Sequence, residues 1–288
     1  MLLRIVSVVG FLLLVPPSLC RAELPFGQEL LKGLGQTLGS GAGPREGKDG
    51  VPLVSTPESA EEEIAVGRQI AGNLLGAAPL VKDKELQKYV NLVGRWVANQ
   101  SERPDLPWHF GVIDSDDINA FAAPGGYILV TRGLYLQLAN EAQLAGVLAH
   151  EVGHVVQQHH YQVIRKARVV DFGSKLLGSK VGRDNPLVQN LIGSGAEIVA
   201  RGLDKSAEYE ADRMGMVLSA RAGYDQYALV EVLQQMGHYG KEDDAVKLLF
   251  KTHPHPDQRL EHLDASVGDR LDHLHGQTVA ERFYRLKK

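Results

Sequence analysis

Three side chains within five residues, His150, Glu151 and His154, carry the most legible chemistry of this sequence. They lie in Ala149-His150-Glu151-Val152-Gly153-His154, a His-Glu-x-x-His motif with helical flanks. Positions four apart on an α-helix differ by about 40° in azimuth and about 6 Å in height, so His150 and His154 can bring both imidazoles to one ion. That is half of a tetrahedral zinc site. Glu151 is rotated off the ligands' shared direction, placed to take a proton from a water on the metal rather than to bind the metal. A third ligand must come from elsewhere. Short motifs also arise by chance, and two helical histidines can be a solvated stripe. The context argues otherwise: Asn140 with Gln143 forms a capping box, and Leu144, Val147, Leu148, Val152 and Val155 make this a core helix. Such a helix does not carry Glu and two His without partners.

The third ligand is sought among carboxylates. A helix opening near Ser206 carries Glu208, Tyr209, Glu210, Ala211 and Asp212. Glu208 and Asp212 are four apart on one face, so one can reach the zinc while the other accepts a hydrogen bond from a liganding imidazole. Glu210 suits a water-facing acidic face. His160 tests another geometry, in which a third His six residues after the second completes the site. That geometry needs a Gly to stop the helix, and the position holds Gln157. On an unbroken helix His160 would sit about 9 Å further along the axis, out of reach. His159 and His160 are expected as polar residues near the helix end, favoured there by the dipole.

The remaining chain must position these groups. Ser59 and Glu62 cap a helix to about Leu75, and a second helix runs from Asp83 to Asn99 with Leu86, Val90, Val93 and Val97 inward. Trp108–Asp114 alternates as a strand with His109 toward solvent. Ile118–Ala122 and Tyr127–Thr131 read as a strand pair about a turn at Pro124-Gly125-Gly126. The second strand leads toward the metal helix, so an exposed edge at Gly126, Tyr127, Ile128 and Leu129 could bind an extended peptide. The competing reading is an ordinary interior strand. Residues 169–203 are Gly-punctuated and amphipathic, fitting a lid, a membrane-surface patch or a plain helical hairpin.

Composition bounds the setting. The chain has 288 residues, 44% hydrophobic and 23% charged, an ordinary globular balance. Residues 1–22 read as a secretory signal: Arg4, an apolar run from Ile5 to Val15, a break at Pro16-Pro17, and cleavage after Ala22. The run is too short to span a bilayer. Cys20 is a weak lipid-attachment candidate because Leu19 is large where a small residue is wanted. Residues 23–57 form a flexible linker rich in Gly, Ser and Pro. Losing Arg4 and Arg21 with the leader takes the net charge from −4 to −6, which argues against a nucleic-acid partner. Cys20 is the one cysteine, so an exported mature chain would hold zinc with His and carboxylates alone. It would be soluble or peripherally attached to a membrane.

Taken together, His-Glu-x-x-His, then Glu208-Tyr-Glu-Ala-Asp-Arg, then Thr252-His253-Pro254 followed by Arg259, with Asn119-Ala-Phe-Ala-Ala-Pro-Gly-Gly upstream, resembles the M48 family of zinc peptidases. The resemblance covers residues 58–265 and leaves 266–288 as a C-terminal tail. It implies a gluzincin fold of the α+β class, mostly helical with a small antiparallel sheet beside the metal helix. It implies one Zn²⁺ on His150, His154 and Glu208, Glu151 as general base, and Asp212 bonded to a ligand imidazole. His253 would contact the substrate carbonyl or occupy the fourth zinc position. Arg259 could orient it or stabilise developing charge. His238, His255, His262, His273 and His275 have no such support. The chain is most similar to periplasmic members of the LoiP and BepA kind that act on unfolded or misassembled envelope proteins, at a site in the periplasm or against the outer membrane. One other reading is kept, an envelope chaperone or adaptor with a closed structural zinc site; a non-peptidase zinc hydrolase is disfavoured, because the Gly126–Thr131 strand offers a peptide-binding edge and no small-molecule pocket is readable.

Overall fold

The computed structural model describes residues 59–171, 199, 202–240 and 243–286. The leader, Cys20, the linker and most of residues 169–203 lie outside them. All the described residues fall within one compact unit, Thr56–Lys288.

Helix α1 (Ala60–Ala77) starts where Ser59 accepts a hydrogen bond from the Glu62 N–H, and α2 (Lys84–Ala98) starts under Asp83, whose carboxylate accepts from the N–H groups of Glu85 and Leu86. Both caps satisfy orphan donors at the helix entrance. The four inward residues of α2 named above are buried. One acid defies the amphipathic pattern: Glu63 of α1 is only 1% exposed.

Strands β1 (His109–Ile113), β2 (Ala120–Ala123) and β3 (Tyr127–Thr131) form a sheet in the order β1-β3-β2. β2 and β3 pair antiparallel across the expected turn, where Gly125 and Gly126 take φ of 73° and 101°, values that only glycine adopts cheaply. β1 pairs with β3 in parallel. The sheet is therefore mixed, not antiparallel as anticipated. Its central strand is β3, which suits a segment whose Ile128, Leu129 and Val130 are all buried, since a strand covered on both faces reads as a continuous apolar run.

After the short α3 (Arg132–Tyr135) comes α4 (Glu141–Val156), the metal helix, capped by Asn140 and buried from Glu141 to Val155. It is followed by α5 (His159–Asp171), α6 (Lys205–Arg221), α7 (Ala228–Gly237), the single turn α8 (Leu249–Thr252) and α9 (Pro256–Ser266). α4 and α6 lie against each other at glycines. A Cβ on Gly153 would stand 3.3 Å from the Ala211 Cα, and one on Gly215 would stand 3.2 Å from the His150 N. Small residues at both crossings let the backbones approach, which brings the first turn of α6 level with the histidines. Residues 267–286 fold back on the body. Ala142 N–H donates to the Thr278 carbonyl, and Phe283 stacks on Tyr135 at 5.3 Å.

Candidate metal centre

The structure brings together side chains from α4, α6 and the loop after α8. His150 Nε2 and His154 Nε2 lie 3.0 Å apart. Glu208 Oε2 is 3.7 Å from the first and its Oε1 is 3.6 Å from the second. A tetrahedral ion with ligand bonds of about 2.0–2.1 Å requires donor separations of about 3.3 Å, and the three separations, 3.0, 3.6 and 3.7 Å, bracket that value. Two imidazoles and a carboxylate with no thiolate also match the donor chemistry of zinc. The residues fit the metal, and three protein ligands leave a fourth place open.

His253 lies beside that place. Its Nδ1 lies 2.7 Å from Glu208 Oε2, and the four residues His150, His154, Glu208 and His253 each offer an atom within 4.8 Å of the others. Burial opposes protonation of His253, but the facing Glu208 carboxylate outweighs it and raises the imidazole above its usual range. Burial likewise would raise Glu208, yet His253 and then His150 hold it below the ordinary carboxylate range. His154 is held well below the usual range by burial and by neighbouring imidazoles, so its ring stays neutral with a lone pair to give. Glu151, buried on the same helix, is pushed up by burial.

Between the two acids that the spacing left open, the geometry separates the roles. Glu208 faces both Nε2 atoms, while Asp212 Oδ1 lies 2.9 Å from His150 Nδ1. The Asp212 carboxylate accepts that N–H and so turns the lone pair of His150 Nε2 inward. Arg259 belongs to this arrangement and does not orient His253. Its Nε and Nη2 donate to the two Asp212 oxygens at 2.9 and 2.5 Å. That bidentate pair, 5% and 0% exposed, holds Asp212 far below its usual range against burial.

Two expectations need correction. The strand proposed as a free peptide-binding edge, with Tyr127, Ile128 and Leu129 after Gly126, is paired on both sides, because β1 and β2 flank β3. Among the described residues the sheet edge nearest the centre is β2, whose Ala120 lines a cavity together with His150 and Glu151. The second correction concerns the end of α4. The helix does break, at Gln158 with φ 57°, without a glycine. His159 and His160 therefore turn back toward the centre. His159 Nδ1 sits 2.9 Å from His154 Nδ1, and the His160 ring lies 5.6 Å from the His154 ring. His160 is buried, which pushes it down to about 3, and its ligand atoms lie outside the converging set.

Other histidines behave as the sequence implied. His109 is exposed and stacks on Tyr127. His273 and His275 are exposed, His255 caps α9 and His262 stacks on Tyr209 at 4.1 Å. Spacing alone could not identify Glu63, His159 and Glu210, whose partners are distant in the chain or across a helix break.

Comparison with known proteins agrees with this geometry. A model described as Peptidase family M48 matches residues 84–267. The chain is 30% identical over 237 residues to the beta-barrel assembly-enhancing protease of Escherichia coli (strain K12), covering 78% of this chain and 47% of that protein. It is 31% identical over 211 residues to the protein of that name from Yersinia pestis, covering 70% and 43%. It is also 30% identical over 175 residues to the mitochondrial metalloendopeptidase OMA1 of Arabidopsis thaliana, covering 61% and 35%. The chain thus spans about half or less of the length of these curated relatives. The matched region contains the whole of the converging His, His and Glu set, and the chain belongs to Peptidase family M48.

Proposed function

We propose that this chain is a zinc-dependent endopeptidase of the bacterial cell envelope that cuts unfolded or misassembled proteins. The observation that carries the reading is the convergence of His150, His154 and Glu208 with Glu151 beside an open fourth position. Zinc, when bound, supplies a Lewis acid that acidifies water and polarises a carbonyl. Glu151 takes the proton of the attacking water and delivers it to the leaving amine nitrogen. Asp212, held by Arg259, keeps His150 in the tautomer that presents Nε2. His253, beside the same opening, can donate from its ring to the substrate carbonyl oxygen as charge develops there.

The cavity walls support this substrate class. Glu151 and His253 border a cavity lined by Val147, Leu229, Val232, Leu233, Met236 and Phe250, with room for roughly three waters. That is space for one apolar side chain. Unfolded proteins expose the apolar side chains that folded ones bury. The envelope assignment draws on the leader-like first 22 residues and on the printed name of the beta-barrel assembly-enhancing relatives. No helix among the described residues is long and apolar enough to cross a membrane.

The test combines zinc content with cleavage. Glu208→Ala should lose both, and peptides with Leu or Met beside the scissile bond should be cut faster than those with Asp or Lys. Full zinc occupancy in Glu208→Ala would reject Glu208 as a ligand, and equal rates on all peptides would reject the apolar subsite. The second reading, a chaperone with a closed zinc site, is favoured by one observation, the nearness of His253 to Glu208. It predicts that His253→Ala loses zinc, whereas the peptidase reading predicts that His253→Ala keeps it.

A further inference from the structure

His159 follows His154 by five residues, and on a continuous helix the two would be about 140° apart around the axis and could not touch. The bend at Gln158 changes this. Its left-handed backbone is held by a donated hydrogen bond from the Gln158 side-chain amide to Glu63 Oε2, at 2.7 Å. Buried Glu63 also accepts from Arg103, which in turn donates to the Val155 carbonyl in the last turn of α4 at 3.1 Å. The bend starts α5 at His159 and aims its ring back at the metal helix. His159 Nδ1 then meets His154 Nδ1 at 2.9 Å with the rings at 71° to each other. On its far side, His159 Nε2 lies 3.5 Å from Glu210 Oε2.

Once zinc takes the Nε2 lone pair of His154, one arrangement of protons satisfies this chain of contacts. With zinc held by His154 Nε2, as proposed above, that nitrogen gives its lone pair to the metal and the ring proton resides on Nδ1. His159 Nδ1 must therefore accept that proton's hydrogen bond. The His159 proton is then on Nε2, directed at the Glu210 carboxylate. We propose that His159, backed by Glu210, is a positioning residue that fixes the tautomer and ring angle of His154 as a zinc ligand. His150 has its carboxylate in direct contact, Asp212 at 2.9 Å. For His154 the carboxylate is one imidazole further out, and it stands two residues after Glu208 on the same helix.

The proposal rests on His150, His154 and Glu208 binding zinc, and the experiment separates the two. Zinc is titrated into the metal-free full chain against a competing chromophoric chelator. The proteins are wild type and the variants His159→Ala, His159→Asn, Glu210→Gln and His150→Ala. Unfolding midpoints are measured on the same metal-free samples. Loss of such an outer partner weakens metal binding by about 10–100-fold, which is the effect expected for His159→Ala. His159→Asn should recover most of it, because its side-chain carbonyl can accept the same N–H. Glu210→Gln, on a half-buried and readily folded site, should show a smaller loss in the same direction. The metal-free midpoints of His159→Asn and Glu210→Gln should match wild type. Wild-type affinity in His159→Ala would overturn the positioning role, as would a loss that Asn fails to restore. If wild type binds no zinc, or His150→Ala binds it equally, the zinc reading itself fails and the proposal with it.

Discussion

Asp212 receives contacts from Arg259 Nε, Arg259 Nη2 and His150 Nδ1 with no exposure to solvent. Removing one partner of a buried ion pair leaves the other charged and dry, which costs about 3–5 kcal/mol. Asp212→Ala should therefore destabilise even the metal-free protein by about that amount in urea unfolding. A change below about 1 kcal/mol would place Arg259 in contact with water and dismiss the pairing described here. At this scale much of the centre was legible in the sequence. Four-residue spacing put His150 with His154 and Glu208 with Asp212, because helix periodicity is local. It could not say that Arg259 serves Asp212 and not His253. That pair is formed by residues 47 apart, across the packing of α9 on α6.

The junction of α4 and α5 shows how an element can end against its own propensities. Gln158 adopts φ 57°, a conformation that costs an ordinary L-residue about 1–2 kcal/mol, and it is kept there by the bond to Glu63. The sequence reading required a glycine for such a break and so carried His159 and His160 onward along one helix. The restraint comes from Glu63, 95 positions earlier, and no local pattern reports it. Substitution separates the two geometries. Gln158→Gly and Gln158→Ala both lose the Glu63 bond, but only Ala retains the strain, so the Gly variant should be the more stable by about 1 kcal/mol. In an unbroken helix the order would reverse by a similar amount. Thermal or urea unfolding of the two variants decides it. The sheet gives a parallel lesson: strand positions were readable from alternation and the Pro-Gly-Gly turn, whereas strand order depended on what flanks Tyr127–Thr131.

Across the whole molecule, buried Glu141 joins segments far apart in the chain. Tyr89 of α2 and Tyr224 donate their hydroxyls to it at 2.9 and 2.7 Å, and Arg282, in a short 3-10 turn beyond α9, forms an ion pair with it. The polypeptide beyond α9, read from sequence as a tail, is thereby fastened to the start of the metal helix. Burial would raise the Glu141 carboxyl, but Arg282 and the two tyrosines overcome it and lower it below its ordinary value. A carboxylate lowered in the folded state binds fewer protons there than in the unfolded chain. Its contribution is thus full above the unfolded value of about 4.3 and is lost as pH falls through the folded one. Glu141→Gln should melt below wild type at pH 7, and the gap in Tm should narrow as pH drops below about 4. A constant gap would contradict the network.

The central claim is hydrolysis of peptide bonds with Glu151 as the base, and the most direct test is cleavage of an unfolded protein such as casein. Wild type and Glu151→Gln are compared after loading with zinc, with metal content measured in both. The account predicts that wild type cleaves and that the variant, equally loaded, loses about 10²–10⁴-fold or more of that rate. A zinc-loaded Glu151→Gln that cleaves at the wild-type rate would contradict it.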